Sequence, residues 1–123
     1  IETPEGFLMT RRLAGTHLEG RWEFPGGKCE ALEDLETCLR RELREELALD
    51  VSVGATICVT RHAYSGRQVE LHFFRCRALN EPTPLLGQQM RWVPAHELTE
   101  LELPDADAEI IARLLAEASL ARD

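Results

Sequence analysis

Glu42, Glu45 and Glu46 lie in the run Arg41-Glu42-Leu43-Arg44-Glu45-Glu46, spaced i, i+3, i+4. On a helix that spacing sets all three carboxylates on one side. Like charges this close repel, and the repulsion costs stability unless a cation sits among them. Two arrangements satisfy that condition. The three can form a solvated helix face with Arg40, Arg41 and Arg44 as counterions. Alternatively they can form a hard-cation site, because Mg²⁺ takes oxygen ligands and pairs protein carboxylates with substrate phosphates. The helix alone leaves both open.

The helix itself is legible. Leu35, Leu39, Leu43 and Leu47 recur every fourth residue as one apolar stripe, and Asp34 is placed to cap its start. Just before it, Glu23-Phe24-Pro25-Gly26-Gly27-Lys28 is the strongest breaker cluster in the chain, so a loop must carry the backbone into the helix. Phe7 to Thr10 is a short apolar strand, and Arg11 to Arg21 is polar and loop-like. Val51 to Thr60 and Val69 to Leu79 are rich in β-branched and aromatic residues and read as an antiparallel pair. Asn80 to Gln89 is a loop, Arg91-Trp92-Val93 a strand and Ala95 to Leu98 a helical turn. Ile110, Ile111, Leu114, Leu115 and Ala118 mark a last amphipathic helix, begun near Pro104 to Asp107. Strands and helices alternate irregularly, so the class is α/β or α+β with a mixed sheet.

At 123 residues the expectation is one domain spanning 1–123. Ile1 reads as the end of a strand already under way, so a few residues and most of a first strand are expected to precede it. A net charge of −8 opposes binding of a nucleic-acid polymer. It does not oppose a small phosphate ligand, which a divalent cation can bridge to carboxylates. No run of about 18 apolar residues occurs, so no membrane partner is expected. Cys29, Cys38, Cys58 and Cys76 show no CxxC spacing, and the expectation is reduced thiols in a cytoplasmic protein. A zinc site or a disulfide is the alternative.

Gly27-x5-Glu33-x7-Arg41-Glu42-Leu43-x-Glu45-Glu46 matches the Nudix box. With Trp22 to Lys28 before it, and Gly87-Gln88, Arg91-Trp92-Val93 and Leu103-Pro104-x-Ala106-Asp107 after it, the chain resembles Nudix hydrolases of the MutT type over nearly its whole length. The resemblance implies the Nudix fold, a mixed β-sheet sandwiched between α-helices. It also implies a magnesium-dependent enzyme, with Mn²⁺ able to substitute, that splits a nucleoside triphosphate into the monophosphate and pyrophosphate. Glu42, Glu45, Glu46 and the Gly26 carbonyl would hold metal. Arg41 would orient a glutamate, and Glu33 would brace the loop. Arg12, His17 and Lys28 would meet phosphate. Phe24, with Phe74 or Leu8, would wall the base pocket, and Asp107 would read the base edge. Ordinary roles stand beside these: surface charge for Arg12, a loop histidine for His17, core packing for the three apolar residues, a helix-terminus charge for Asp107.

Two positions depart from the pattern. Ala48 stands where the box ends in Gly, which puts the tightness of that turn in question. Leu86 stands where related enzymes carry a glutamate before Gly-Gln, so the base is a box glutamate or another carboxylate. An ionised Asp107 accepts hydrogen bonds only, which suits an oxidised guanine such as 8-oxo-dGTP. A cytidine-type triphosphate is the alternative. Tyr64 lies near where diadenosine polyphosphate hydrolases carry a tyrosine. A non-catalytic Nudix recognition module is the reading from another class, opposed by intact glutamates and acidic charge. The assembly is expected to be a monomer or a homodimer.

Overall fold

The computed structural model describes residues 1–64 and 66–121, the side chains of Tyr64 and Ala121 excepted. The strands are β1 (Glu2–Thr3), β2 (Gly6–Arg11), β3 (Trp22–Glu23), β4 (Val51–Tyr64), β5 (Arg67–Ala78) and β6 (Met90–Val93). The helices are α1 (Leu35–Leu47) and α2 (Ala108–Ala121), with 3₁₀ turns at Ala95–Glu100 and Asp105–Asp107. The expected elements are therefore present, the hairpin strands longer than the sequence suggested and the Ala95 turn extended by two residues.

β2 is the centre of the first sheet. β6 pairs with it from Phe7↔Val93 to Thr10↔Met90, while β1 and β3 pair at its two ends. β4 and β5 form a second, two-stranded sheet whose register slips between Val53 and Cys58. Every pairing among the described residues is antiparallel, so the mixture in this fold is one of strands with helices.

Side-chain alternation along β2 divides the interior in two. Phe7 and Met9 pack with Cys58, Val93, Leu98, Ile110 and Leu114, on the α2 side. Leu8 points the other way, among Leu43, Leu47, Leu49, Val51 and Cys76, on the α1 side. The two helices thus flank the strands. Truncating any one of the fully buried leucines to alanine would cost about 2–5 kcal/mol. Among the described residues no helix is long and apolar enough to cross a membrane.

Two local features bear on the site. The box ends on Ala48 at φ 48°, ψ 34°, its N–H donating to Arg44 O and Leu43 O. Alanine thus takes the left-handed turn expected of glycine, at the cost of a Cβ clash. The expectation of reduced thiols throughout is corrected. Cys29 and Cys38 are joined in a disulfide, because the loop after Lys28 folds back until their Cα atoms are 5.4 Å apart. Cys58 and Cys76 are free and buried.

Candidate active site

α1 begins where Asp34 accepts hydrogen bonds from Thr37 N at 2.9 Å and Thr37 Oγ1 at 2.8 Å. With that start fixed, Arg41 falls beside the loop and becomes its hub. Arg41 Nε donates to Glu33 Oε2 at 2.7 Å and Nη2 to Glu33 Oε1 at 2.8 Å. Nη1 reaches Glu42 Oε1 at 3.0 Å and Glu45 Oε2 at 3.2 Å, and Nη2 reaches the Lys28 carbonyl at 3.4 Å. The forked hydrogen bonds from Arg41 hold the Glu33 carboxyl down to about 2, helped by the Glu30 N–H.

The counterion question then has a geometric answer. Arg40 turns to Glu36 at 2.7 Å and Arg44 to Asp50 at 2.6 Å, so neither serves the three glutamates. One guanidinium is shared by Glu33, Glu42 and Glu45. Glu46 has no ion pair or side-chain hydrogen bond among the described residues, and it is half-buried. Burial first, then the charges of Glu42 and Glu23, push its carboxyl up to about 7, against a pull from Arg12. The face is short of positive charge.

The loop closes tightly on this face. Gly26 lies over Leu39 of α1, and a Cβ placed on Gly27 would sit 2.3 Å from Glu42 Oε2. Any larger residue at 27 would push the Glu42 carboxylate out of its place. Hard oxygen donors, uncompensated charge and a backbone pressed close together fit a divalent cation.

A second set of groups flanks the first. β2 and β3 pair Thr10 with Glu23, so the chain leaving β2 puts Arg12 beside Glu23, Nη1 to Oε2 at 2.9 Å. Arg12 Nε also donates to the His17 carbonyl. Arg12 lines a shallow cleft with Leu13, Gly87 and Gln88. Asp107 ends the 3₁₀ turn before α2, with its side chain buried. Burial, then the charge of Glu23, raises its carboxyl to about 6. Its carboxylate makes no capping hydrogen bond among the described residues, unlike Asp34. Phe24 packs edge-to-face on Phe73, centroids 5.9 Å apart.

Not every expected residue joins these groups. Leu8 is wholly buried in the α1-side core, and Phe74 packs against that same cluster, so neither walls a pocket. Alternation on β5 turns Phe73, not Phe74, toward Phe24. Lys28 and His17 are exposed on their loops. Leu86 is exposed and supplies no carboxylate. The side chain of Tyr64 lies outside the described residues.

Two residues were missed from the sequence. Glu23 links Arg12, Asp107 and Glu46 electrostatically. It stands in the quoted Trp22 to Lys28 segment, and its signal was a lone carboxylate in a breaker cluster. Buried Gln88 donates to Glu46 O at 3.1 Å and accepts from Leu86 N at 2.9 Å, bracing the end of α1.

Comparison with known proteins identifies the family. The NUDIX domain family matches residues 1–113. The chain belongs to the NUDIX family. It is 35% identical over 111 residues to the 8-oxo-dGTP diphosphatase of Haemophilus influenzae, covering 89% of this chain and 81% of that protein. It is 31% identical over 117 residues to the CTP pyrophosphohydrolase of Escherichia coli, covering 94% of this chain and 87% of that protein. The solved structure of the E. coli ORF135 protein superposes with a TM-score of 0.83 at 30% identity, covering 94% of this chain and 83% of that one. The NUDIX chain is thus a nucleotide pyrophosphohydrolase, and enzymes of this family generally use divalent cations.

Proposed function

We propose that the protein is a Mg²⁺-dependent nucleoside triphosphate pyrophosphohydrolase that removes oxidised nucleotides such as 8-oxo-dGTP, yielding the monophosphate and pyrophosphate. The observation that carries the reading is the α1 face, where one guanidinium serves Glu33, Glu42 and Glu45 and, among the described residues, none pairs with Glu46. Glu42, Glu45, Glu46 and the Gly26 carbonyl would hold the cation. A divalent cation bound there neutralises the triphosphate and acidifies the attacking water.

The chain's own groups do the rest. Arg41 fixes Glu42 and Glu45 in place, and Glu33 fixes Arg41. Arg12, steadied by Glu23, offsets phosphate charge from the β2 side, with Lys28 and His17 contributing from their loops. Leu86 brings no carboxylate, so the proton acceptor is a box glutamate or another carboxylate of the site. Burial and the charges of Glu42 and Glu23 raise the Glu46 carboxyl while no cation is bound, and a cation held there would lower it again. Phe24 would wall the base pocket and Asp107 would accept hydrogen bonds from the base edge. Resemblance to the H. influenzae and E. coli enzymes supports both an oxidised guanine and a cytidine-type base, and both offer the amine that Asp107 requires. The cytidine-type triphosphate is the second reading. A cytoplasmic enzyme in nucleotide sanitation, monomeric or homodimeric, is the corresponding setting.

A panel of canonical and oxidised triphosphates, nucleotide sugars and dinucleoside polyphosphates with Mg²⁺, scored by chromatography, tests the reading. Pyrophosphate from an oxidised purine triphosphate, labelled when the reaction runs in ¹⁸O water, is the expected result. Preference for dinucleoside polyphosphates, or no turnover of any triphosphate, would overturn it.

A further inference from the structure

The Cys29–Cys38 pair has no part in the chemistry above, yet it lies against the groups that carry it. Cys29 follows Lys28, whose carbonyl accepts from Arg41. Cys38 lies in the first turns of α1, one turn before Glu42. Between them runs Glu30 to Thr37, including Glu33 and its fork with Arg41.

The loop from Phe24 to Asp34 contains no helix or strand. From Gly27 to Asp34 only Glu33 is partly shielded from solvent, and Leu32 is fully exposed at φ 70°. Little apolar burial holds this segment, and segments of that kind open most easily. Three tethers fix it to α1: the Glu33–Arg41 fork, the Lys28 carbonyl on Arg41, and the disulfide. Two of the three depend on one arginine. The disulfide is the only covalent one, and it closes a loop of sequence separation 9.

We infer that the Cys29–Cys38 pair is a thiol–disulfide switch: oxidised, it presses the Gly26-Gly27 segment onto the Glu42 carboxylate, and reduced, it lets that segment lift and weakens divalent-cation binding. The inference rests on reading the α1 glutamates as the cation site. The geometry sets the order of the exchange. Cys29 is exposed and Cys38 is 2% exposed, so an incoming thiolate meets Cys29. One thiolate of a small dithiol reductant attacks Cys29 Sγ and breaks the S–S bond, and Cys38 leaves as a thiolate that takes a proton. The second thiolate of the reductant then attacks its own sulfur in the mixed disulfide. Cys29 leaves, takes a proton, and the reductant departs as a cyclic disulfide. Two electrons and two protons pass from the reductant to the pair. Cys58 and Cys76, buried in the two cores, do not exchange under these conditions.

The test uses the whole chain in oxidised and dithiol-reduced form. Alkylation and mass spectrometry confirm that only Cys29 and Cys38 differ. Mn²⁺ binding is measured by electron paramagnetic resonance, and amide exchange over residues 26–34 is followed without metal. The reduced form is expected to bind Mn²⁺ roughly tenfold more weakly, the low end of what losing support for a metal ligand costs. Its loop amides should exchange faster, while those of β2 and α2 stay unchanged. Cys29→Ser, which breaks the pair from its exposed end and leaves Cys38 as a buried thiol, should match the reduced form with or without reductant. Equal Mn²⁺ affinity in the two forms would overturn the switch alone. Failure of Mn²⁺ to bind either form would overturn the cation-site reading beneath it.

Discussion

The α1 face and the Asp107 flank are both acidic, yet they hold their charge differently. On α1 the carboxylates are clustered, partly wet and shared around Arg41. At the flank one carboxylate lies buried with no cationic partner among the described residues, close enough to Glu23 to feel its charge. A crowded, wet set of carboxylates suits a strongly hydrated cation. An isolated, dry one suits a neutral donor such as an exocyclic amine. On the proposed reading, phosphate and metal belong to the first side and the base to the second.

Removing a carboxylate from the first region should have the largest effect. Glu45→Gln and Glu46→Gln each keep shape but lose a charged oxygen ligand, so kcat should fall by at least about 100-fold. Metal-free stability should rise for Glu46→Gln, which relieves repulsion and burial of charge, and change little for Glu45→Gln, where relief of repulsion is offset by loss of the Arg41 pair. Near-normal turnover in either variant would return that glutamate to the solvent.

The second region should respond in specificity and pH dependence. Asp107→Asn can donate as well as accept, so the ranking of bases should change, with kcat/KM for amine-bearing bases down roughly 10- to 150-fold. Stability should move the opposite way. The buried carboxyl titrates near 6 in the folded chain against 3.8 unfolded. Its contribution is thus fully present below about pH 4 and lost as pH rises through about 6. A rise of about two units corresponds to about 3 kcal/mol at most. Asp107→Asn should therefore melt higher than the parent at pH 7.5, with the gap closing toward pH 4. A variant that melts lower at pH 7.5 with its base ranking intact would make Asp107 a helix-terminus charge instead.

The two regions also differed in how far the sequence disclosed them. The α1 face was legible because a helix converts local spacing into shared direction, so Glu42, Glu45 and Glu46 could be placed together from the chain alone. The flank joins β2, β3 and the turn before α2, across some eighty residues. Spacing there says nothing about contact, and Glu23 was passed over. On β5, Phe73 and Phe74 point to opposite faces, and only the pairing with β4 decides which one meets Phe24. The disulfide stood only as an alternative to reduced thiols for a related reason. Cys29 and Cys38 come together only because the exposed loop turns back on the helix, and that turn carries no apolar pattern.

The smallest effect concerns the end of the box. Ala48→Gly relieves the left-handed strain, partly offset by the greater freedom glycine has when unfolded. A gain of about 0.5–1 kcal/mol is expected, with activity unchanged. A loss on thermal melting would show that the turn is not strained.

The central claim is that the α1 carboxylates work through a divalent cation. The most direct measurement is the rate of pyrophosphate release from a nucleoside triphosphate after full chelation, followed by stepwise return of Mg²⁺. The account predicts no turnover in chelator and full recovery with Mg²⁺ or Mn²⁺ in the parent, with Glu46→Gln needing far more metal. Undiminished turnover in chelator would contradict it.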